Sequence, residues 1–512
     1  MVNSSMHQLQ NKFSELTKPA FLWWSLVIMG TILRVRQYFS GRSFWADEAS
    51  LAFNIAHRTF VGLTQPLDYE QGAPIGFLFI EKILVISFGN IDQVMRLVPL
   101  FAGVLSVYLM YRIAQVHITG GMFDTLLFAI SWPLIYYSSE MKQYSSDVMI
   151  GILLVFLASH CLQADVHSRD FLILGVAGMV AVWLSHPSVF ILAGIGLALF
   201  LTAITRTRPV PISWLVGLGA MWLLSFGVEY FVSLRHLLAN DYLYDYWKKA
   251  FMPLPPGGTR IWLTKTYYSM LLIALNRTDH ILAVLIPILV VLGCLSLLYR
   301  EWVIGIIVIS PFFIALFASA AQKYPLKDRF MLFLVPFLLF LIAEGLGRIY
   351  LTAAKLHIGL ACVAYILPAF ILFYLTASVS FDLFLSPYYV AETKPVMKYV
   401  GEHRHNSETI YVYHSSESAF NYYAPFYDID HQNVLIGYDT PIKRVALQGF
   451  FDDIEKLRGH NRVWFIFSDI VDCGGCGGDM QLFYVNYLND RGTMLDRVNA
   501  AGANAYLYNL NP

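Results

Sequence analysis

The sequence predicts a mostly α-helical, polytopic membrane protein with about eleven transmembrane helices and a C-terminal α/β domain. Of its 512 residues, 57% are hydrophobic and 14% are charged, which is more apolar surface than one soluble core can bury. Apolar runs of roughly the ~20 residues that cross a bilayer recur as far as residue 379. Short strand-like runs follow, so we predict a membrane domain over 1–382 and an α/β domain over 383–512.

Hydropathy and length define the transmembrane candidates, and the polar residues 1–18 precede a first run without a cleavage site, so that run is expected to be retained. The predicted spans are 20–38, 94–116, 121–138, 145–163, 170–184, 188–204, 212–233, 280–298, 302–321, 328–348 and 357–379. The two short runs that flank residues 185–187 leave open a single long, kinked span.

Lysine and arginine in short loops set the orientation, because they accumulate on the cytoplasmic side. With the N-terminus inside, most basic loops also fall inside, and an odd number of spans places the C-terminal domain outside. The sequence therefore predicts a multi-pass protein of the inner (plasma) membrane. The segments expected on the extracytoplasmic side are 39–93, 138–146, 234–279, 321–329 and 383–512.

The first outer segment, 39–93, should contain two helices. Leu51, Ala52 and Ile55 recur at helical spacing, and residues 75–88 form an apolar run that is too short to span comfortably. Both helices are expected to lie on the membrane surface.

The C-terminal domain should begin with a helix at 394–405, and its strands should lie at 408–414, 462–469 and 502–510. The sequence "CGGC" in this domain places Cys473 and Cys476 in a loop of an exported domain. A local disulfide is favoured there over zinc or redox chemistry, because no further ligands stand nearby and no helix follows directly.

Charge composition excludes one class of partner. Lys plus Arg and Asp plus Glu both number 35, so the formal net charge is zero. Nucleic acid is not an expected partner, because it requires a basic excess.

Two adjacent acids, Asp47 and Glu48, follow the first span beside Trp45. Asp47 could simply cap the helix that follows, since Asp favours helix N-termini. A second acid at a membrane interface exceeds what a cap needs. A partly desolvated carboxylate in such a place suits a general base, so we predict Asp47 and Glu48 as catalytic residues.

Three further outer groups are candidates for substrate binding. Asp68 and Glu70 precede a turn at residues 72–74, and Glu140, Lys142 and Tyr144 lie in a short loop between two spans. Each residue alone is typical of a solvated turn. Together, opposite the first outer segment, they favour a binding surface.

The third group is basic, with Lys323, Lys327 and Arg329 at the outer end of a late span. Three cations outside oppose the usual charge bias, and a phosphate carried on a lipid would account for them. His186, between two short spans, faces the same side and is given a minor binding role.

The order of these motifs resembles a known family. It comprises W-x-D-E after the first span, a Q-x-A-P-x-G turn, the R-L-x-P opening of the next span, the "SSEMKQYSSD" loop and a late K-D-R-F. Over roughly residues 20–380 the chain resembles bacterial members of the glycosyltransferase 39 family. These are GT-C fold enzymes that include protein O-mannosyltransferases and the lipid A aminoarabinose transferase.

The resemblance implies sugar transfer from a polyprenyl-phosphate-linked donor to a lipid, glycan or protein acceptor on the extracytoplasmic side, with inversion. It implies that Asp47 is the catalytic acid of the pair and that Glu48 supports it. Where aminoarabinose transferases carry Lys-Pro-Pro, this chain has Gly72-Ala73-Pro74, so lipid A specificity is not implied. No cofactor is required, although a divalent metal near the two acids is left open.

A transporter or flippase for a lipid-linked sugar is the alternative, because it would also bind phosphate at the outer face. Transporters usually place their polar groups near the bilayer midplane on broken helices, often in repeated halves. Here the informative charges gather at one surface and no repeat is visible, which favours the enzyme.

Overall fold

The computed structural model describes residues 19–163, 166–205, 210–254, 257–405, 407–437, 443–470 and 480–511. It shows a mostly helical membrane part followed by a small domain built on a five-stranded sheet. The predicted fold class is confirmed in these terms. The Cys473–Cys476 motif lies outside the described residues.

Long apolar helices form the membrane part. Within the described ranges, seven are long and apolar enough to cross a membrane: Asp92–His117, Ser188–Thr205, Ile212–Leu238, His280–Arg300, Trp302–Ala320, Asp328–Ala353 and Ile358–Leu385. The other predicted spans form the helices Ala20–Tyr38, Gly121–Ile130, Trp132–Tyr137, Tyr144–His160 and Ser168–Leu184. The count of about eleven spans is thus not confirmed.

The predicted span 121–138 breaks into two helices at Ser131, whose backbone is extended. Pro133 explains the break, because it lacks the N–H that would bond to the carbonyl of Ala129. The buried side chain of Arg34 donates to that carbonyl at 3.2 Å and to the carbonyl of Phe128 at 3.3 Å. The freed backbone acceptors are therefore satisfied inside the protein, as a membrane requires.

The remaining helices lie in the connecting segments. They are Ala46–His57, Gly62–Thr64, Asp68–Glu70, Ile75–Phe88, Asp241–Trp247, Lys248–Ala250 and Thr259–Leu275. The last was expected to be loop. Its apolar run is interrupted by Arg260, Thr264 and Lys265, which hid it from a search for membrane spans.

The helix Ala46–His57, hereafter the loop helix, was expected on the membrane surface, and this expectation is wrong. Leu51, Ala52 and Ile55 are fully buried in a core shared with residues of the C-terminal domain. The helix packs against Glu417–Tyr423 of that domain, so its apolar face meets protein. In contrast, Ile75–Phe88 keeps one apolar face exposed.

The C-terminal sheet has the order β2-β1-β3-β5-β4. Its strands are β1 (Thr409–Val412), β2 (Val434–Ile436), β3 (Val463–Ser468), β4 (Thr493–Ala500) and β5 (Ala503–Asn509). β1 pairs in parallel with β2 and β3, and β5 is antiparallel to β3 and β4. The helices Thr393–His403, Glu417–Tyr423, Lys443–Lys456 and Met480–Asn489 complete the domain.

Three of these strands and the first helix agree with the sequence prediction. The predicted runs around 408–414, 462–469 and 502–510 become β1, β3 and β5. β2 and β4 were not predicted. β2 has only three residues, and β4 alternates between exposed and half-buried positions, so neither has the continuous apolar run of a buried strand.

Candidate active site

The five segments expected on the extracytoplasmic side meet around a cavity of about 2010 Å³. The lining includes charged and polar side chains from every one of them. Among them are Asp47, Glu70, Gln71, Lys142, Tyr144, Lys249, Lys323, Lys327, Arg329, Glu417 and Asp469. Asp147, in the first turn of an adjoining helix, and His186, in the turn between two helices, line it as well.

Asp47 extends into this cavity from the first turn of the loop helix. Its Oδ2 lies 2.5 Å from Arg329 Nη2, and its Oδ1 lies 3.5 Å from Lys142 Nζ. Gln71 Nε2 donates to Oδ1 at 3.3 Å. The cap interpretation is wrong, because the helix begins at Ala46 with Trp45 in the cap position, so the Asp47 carboxylate is free for these cavity contacts.

The surroundings of Asp47 set its protonation. Burial would raise the pKa of its carboxyl, but Lys142 and Arg329, with the hydrogen bond from Gln71, outweigh that effect and hold the pKa below its usual value. Burial lowers the pKa of Lys142, and Asp47 partly offsets it. Asp47 is thus a carboxylate at neutral pH and can accept a proton only when the reaction supplies a strongly acidic one.

Arg329 is held by aromatic rings as well as by Asp47. Its guanidinium lies over the rings of Trp45, Tyr144 and Trp247, at 5.3, 5.6 and 5.9 Å from their centroids. Such contacts stabilise a cation and orient its planar group. The guanidinium is therefore presented beside the catalytic candidate with 18% of its side chain exposed to the cavity.

Glu48 does not have the place expected of a catalytic residue. It is fully buried, and it forms ion pairs with Arg42 at 3.0 Å and with Arg96 at 2.9 Å. Its Oε1 also accepts the backbone N–H of Met141 at 2.7 Å. It is absent from the described residues that line the cavity, so its contacts are those of a support for the loop, and its predicted part in catalysis stays a prediction.

Two predicted binding residues also lie outside the described cavity lining. Asp68 pairs with Arg58 at 2.8 Å on the surface. Glu140 is 1% exposed behind the cavity wall, where burial, reinforced by the nearby Glu48, raises its pKa to about 7. Neither has the access to a cavity ligand that its predicted role requires.

The other predicted binding residues line the cavity. Lys323 and Lys327 are exposed at its mouth, and Lys327 is 3.6 Å from Asp328. Glu70 is hydrogen-bonded by Asn240, and His186 Nε2 lies 3.5 Å from Glu229 Oε1. The structure therefore brings Glu70, Lys142, Tyr144, His186, Lys323, Lys327 and Arg329 to one cavity with Asp47.

The sequence analysis named no residue in the cavity wall that the C-terminal domain contributes. His414, Ser415, Glu417, Asp469 and Gln481 belong to it. Asp469 directly follows the buried strand β3, which is a recognisable signal for a site residue. The others needed the docking of the two domains. Gln71 was visible in the Q-x-A-P-x-G motif but received no role.

The geometry around Asp47 does not suit a divalent metal. No group of three or more metal-binding side chains occurs in the part of the chain that the structure describes. Both carboxylate oxygens of Asp47 face cations, so a metal ion there would have to displace Lys142 and Arg329. Asp47 instead lies beside Lys142 and Arg329, two cationic hydrogen-bond donors of the kind that bind an anion.

Three solved structures share this architecture. ArnT from Cupriavidus metallidurans, bound to undecaprenyl phosphate, is 10% identical over 95% of this chain and 97% of that chain, with a TM-score of 0.53. The same protein in the apo state is 11% identical over 95% of this chain and 98% of that chain, with a TM-score of 0.56. The Archaeoglobus fulgidus oligosaccharyltransferase, in complex with Zn and sulfate, is 13% identical over 96% of this chain and 73% of that chain, with a TM-score of 0.54.

These similarities show that the chain has the GT-C fold of membrane glycosyltransferases. No protein-family model matches the sequence, and no curated protein is significantly similar to it. Membership of the glycosyltransferase 39 family is not confirmed and stays a prediction.

The burial of Glu48 predicts a stability defect. Glu48→Ala leaves Arg42 and Arg96 buried without their carboxylate, so we expect a loss of about 3–5 kcal/mol. Thermal unfolding of the detergent-solubilised protein measures it. Asp68→Ala is the matched control, because it breaks an exposed pair on the same segment and should cost about 0–1 kcal/mol. Equal melting temperatures for the two variants would contradict the assignment.

Proposed function

We propose that this protein is an inverting, integral-membrane glycosyltransferase. It would move a sugar from a polyprenyl-phosphate-linked donor to a hydroxyl group of a lipid, glycan or protein acceptor on the extracytoplasmic side of the inner membrane. One observation carries the proposal. Asp47, Arg329 and Lys142 meet at a large cavity in a GT-C fold, with one carboxylate oxygen directed at each cation.

The chemistry matches what such a transfer requires. The acceptor oxygen forms a bond to the anomeric carbon, the bond from that carbon to the phosphate oxygen breaks, and the acceptor proton passes to Asp47. The leaving polyprenyl phosphate takes the bonding electrons. Arg329 and Lys142 are placed to stabilise the negative charge that develops on it. No metal is needed, because the lipid phosphate is itself a good leaving group.

Binding of the donor would also activate the base. While Arg329 and Lys142 are paired with Asp47, they keep the pKa of its carboxyl low. A phosphate bound beside them would share their hydrogen-bond donors and add negative charge, and both effects raise the pKa of Asp47. The base would thus gain strength when the donor is in place.

The neighbouring structures support the donor class. One of them is bound to undecaprenyl phosphate, and all three are transferases, which favours an enzyme over a flippase. The exposed Lys323, Lys327 and Lys249 add positive charge along the cavity, as an anionic lipid head would require. The C-terminal wall, which carries Glu417 and Asp469, would face the acceptor.

Asp47→Asn should abolish transfer. Removing a general base typically costs about 10²–10⁴-fold in rate, and the amide keeps the shape of the carboxylate. The product is found by mass analysis of envelope glycolipids and glycoproteins from a deletion strain and from the complemented strain. The variant should fail to restore that product while the purified protein still binds undecaprenyl phosphate.

Asp68→Asn is the control for this substitution, because Asp68 carries a similar charge on the same segment outside the described cavity lining. It should restore the product. Full activity of Asp47→Asn would refute the proposed function.

Lys142→Met should move the pH profile. Lys142 helps to hold the pKa of Asp47 low, so its loss raises that pKa and the base becomes protonated at a higher pH. The acid limb of kcat/KM, measured on the identified product, should therefore shift to higher pH.

Lys327→Met serves as the comparison for the pH experiment. Lys327 lines the cavity, so its loss should weaken binding of the anionic donor. Because it pairs with Asp328 and not with Asp47, the acid limb should stay in place. An acid limb that did not move in Lys142→Met would show that Asp47 is not the titrating base.

A further inference from the structure

We propose that Asp469 of the C-terminal domain is a positioning residue for Asp47. Its carboxylate holds the first turn of the loop helix, so sugar transfer depends on the docked C-terminal domain. This inference rests on the proposed function, because it assumes that Asp47 is the base.

Both backbone groups of Ala46, the residue before Asp47, are held by the C-terminal domain. The N–H of Ala46 donates to Asp469 Oδ2 at 3.0 Å. The hydroxyl of Ser418 donates to the carbonyl of Ala46 at 3.1 Å. The backbone that carries the base is thus bound on both sides by side chains more than 370 residues away in the sequence.

Asp469 supplies what the loop helix lacks. The first N–H groups of any helix have no partner within the helix, and a side-chain oxygen at the cap position usually accepts one of them. The cap residue here is Trp45, whose indole has a donor and no acceptor. Asp469 takes over as acceptor from another domain, and although burial raises the pKa of its carboxyl to about 7, an acceptor oxygen remains in either protonation state.

The same domain holds the two other N–H groups before Trp45. The N–H of Phe44 donates to Tyr423 Oη at 2.7 Å, and the N–H of Ser43 donates to Glu392 Oε1 at 2.9 Å. Three of the four backbone N–H groups in residues 43–46 therefore end on side chains of the C-terminal domain. The C-terminal domain therefore holds the backbone that leads to Asp47 at residues 43, 44 and 46.

Asp469 is itself fixed. It follows β3 directly and has left-handed backbone geometry with a φ of 53°. The hydroxyl of Ser415 donates to the carbonyls of Ser468 and Asp469, at 3.0 Å each. The hydroxyl of Ser416 accepts the N–H of Ser468 at 2.6 Å. An acceptor at the end of a buried strand provides the rigid support that a catalytic group needs.

Loss of this support should reduce turnover and spare donor binding. A displacement of about 1 Å in a reacting group can cost about 100-fold in rate. Arg329 and Lys142 do not depend on the Ala46 contact, so the phosphate would still bind. We therefore expect a fall in kcat of about 10- to 100-fold for Asp469→Ala, with the donor KM changed less than about twofold.

The experiment compares Asp469→Ala, Asp469→Asn and Tyr423→Phe in the full-length protein. It measures kcat and donor KM on the identified product, the binding of undecaprenyl phosphate and the melting temperature. The asparagine keeps an acceptor for Ala46 and should recover most of the turnover. Tyr423→Phe removes the acceptor of Phe44 and should lower kcat in the same way as Asp469→Ala.

Asp430→Ala is the control, because Asp430 is an exposed carboxylate of the same domain, paired with Arg404 at 3.4 Å. It should behave as wild type. Three results would overturn the inference: an unchanged kcat in Asp469→Ala, equal damage in Asp469→Ala and Asp469→Asn, or a loss of donor binding in step with turnover. If the alanine variant does not fold, the asparagine and Tyr423→Phe variants decide the question.

Asp47→Asn, measured in parallel, separates the two proposals. If Asp47→Asn is inactive and Asp469→Ala is normal, the positioning role fails alone. If Asp47→Asn is fully active, the proposed function itself fails.

Discussion

The buried ion pairs of Glu48 with Arg42 and Arg96 are the constraint on which the site depends. They join the segment after the first helix, the loop helix and the start of the next span, and Glu48 also accepts the N–H of Met141. Successive residues of a helix point about 100° apart, so an acid fixed inward at Glu48 turns Asp47 toward the cavity. Of these two adjacent acids, Glu48 thus anchors the loop helix and Asp47 is the candidate reactive group. Because a buried charge without a partner is costly, this arrangement tolerates little variation.

The anchor alone fixes one side of the loop helix, and the C-terminal domain fixes the other. Leu51, Ala52 and Ile55 are buried in a core shared with that domain, and Asp469 and Tyr423 bind the backbone before Asp47. The small α/β domain is therefore built into the candidate active site. A reacting group on a loop needs a rigid support to hold its position. Here the loop helix is held between a buried ion network and the end of the central strand β3, which fixes its position.

The sequence analysis succeeded where a physical rule acts locally. Hydropathy located the long helices. A cluster of cations expected outside identified Arg329, and a polar loop between two spans identified Lys142; both residues meet Asp47 in the structure. It failed where the outcome depends on tertiary contacts. Nothing nearby in the sequence reveals that Glu48 meets Arg96 in a buried ion pair. Asp68 and Glu140 lie in segments that contribute other residues to the cavity, but they are not among the described residues that line it.

The pairing of one carboxylate with two cations has a consequence for the order of events in the proposed reaction. In the present geometry Arg329 and Lys142 neutralise Asp47, so the base is weak and the anion-binding groups are already engaged. The phosphate of the sugar donor competes with Asp47 for these two cations. Each cation that it draws from Asp47 binds the leaving group, and the pKa of Asp47 rises as that ion pair weakens. Base strength and donor occupancy are then coupled through shared hydrogen bonds. An enzyme of this kind would activate its acceptor only when a sugar is present to receive it.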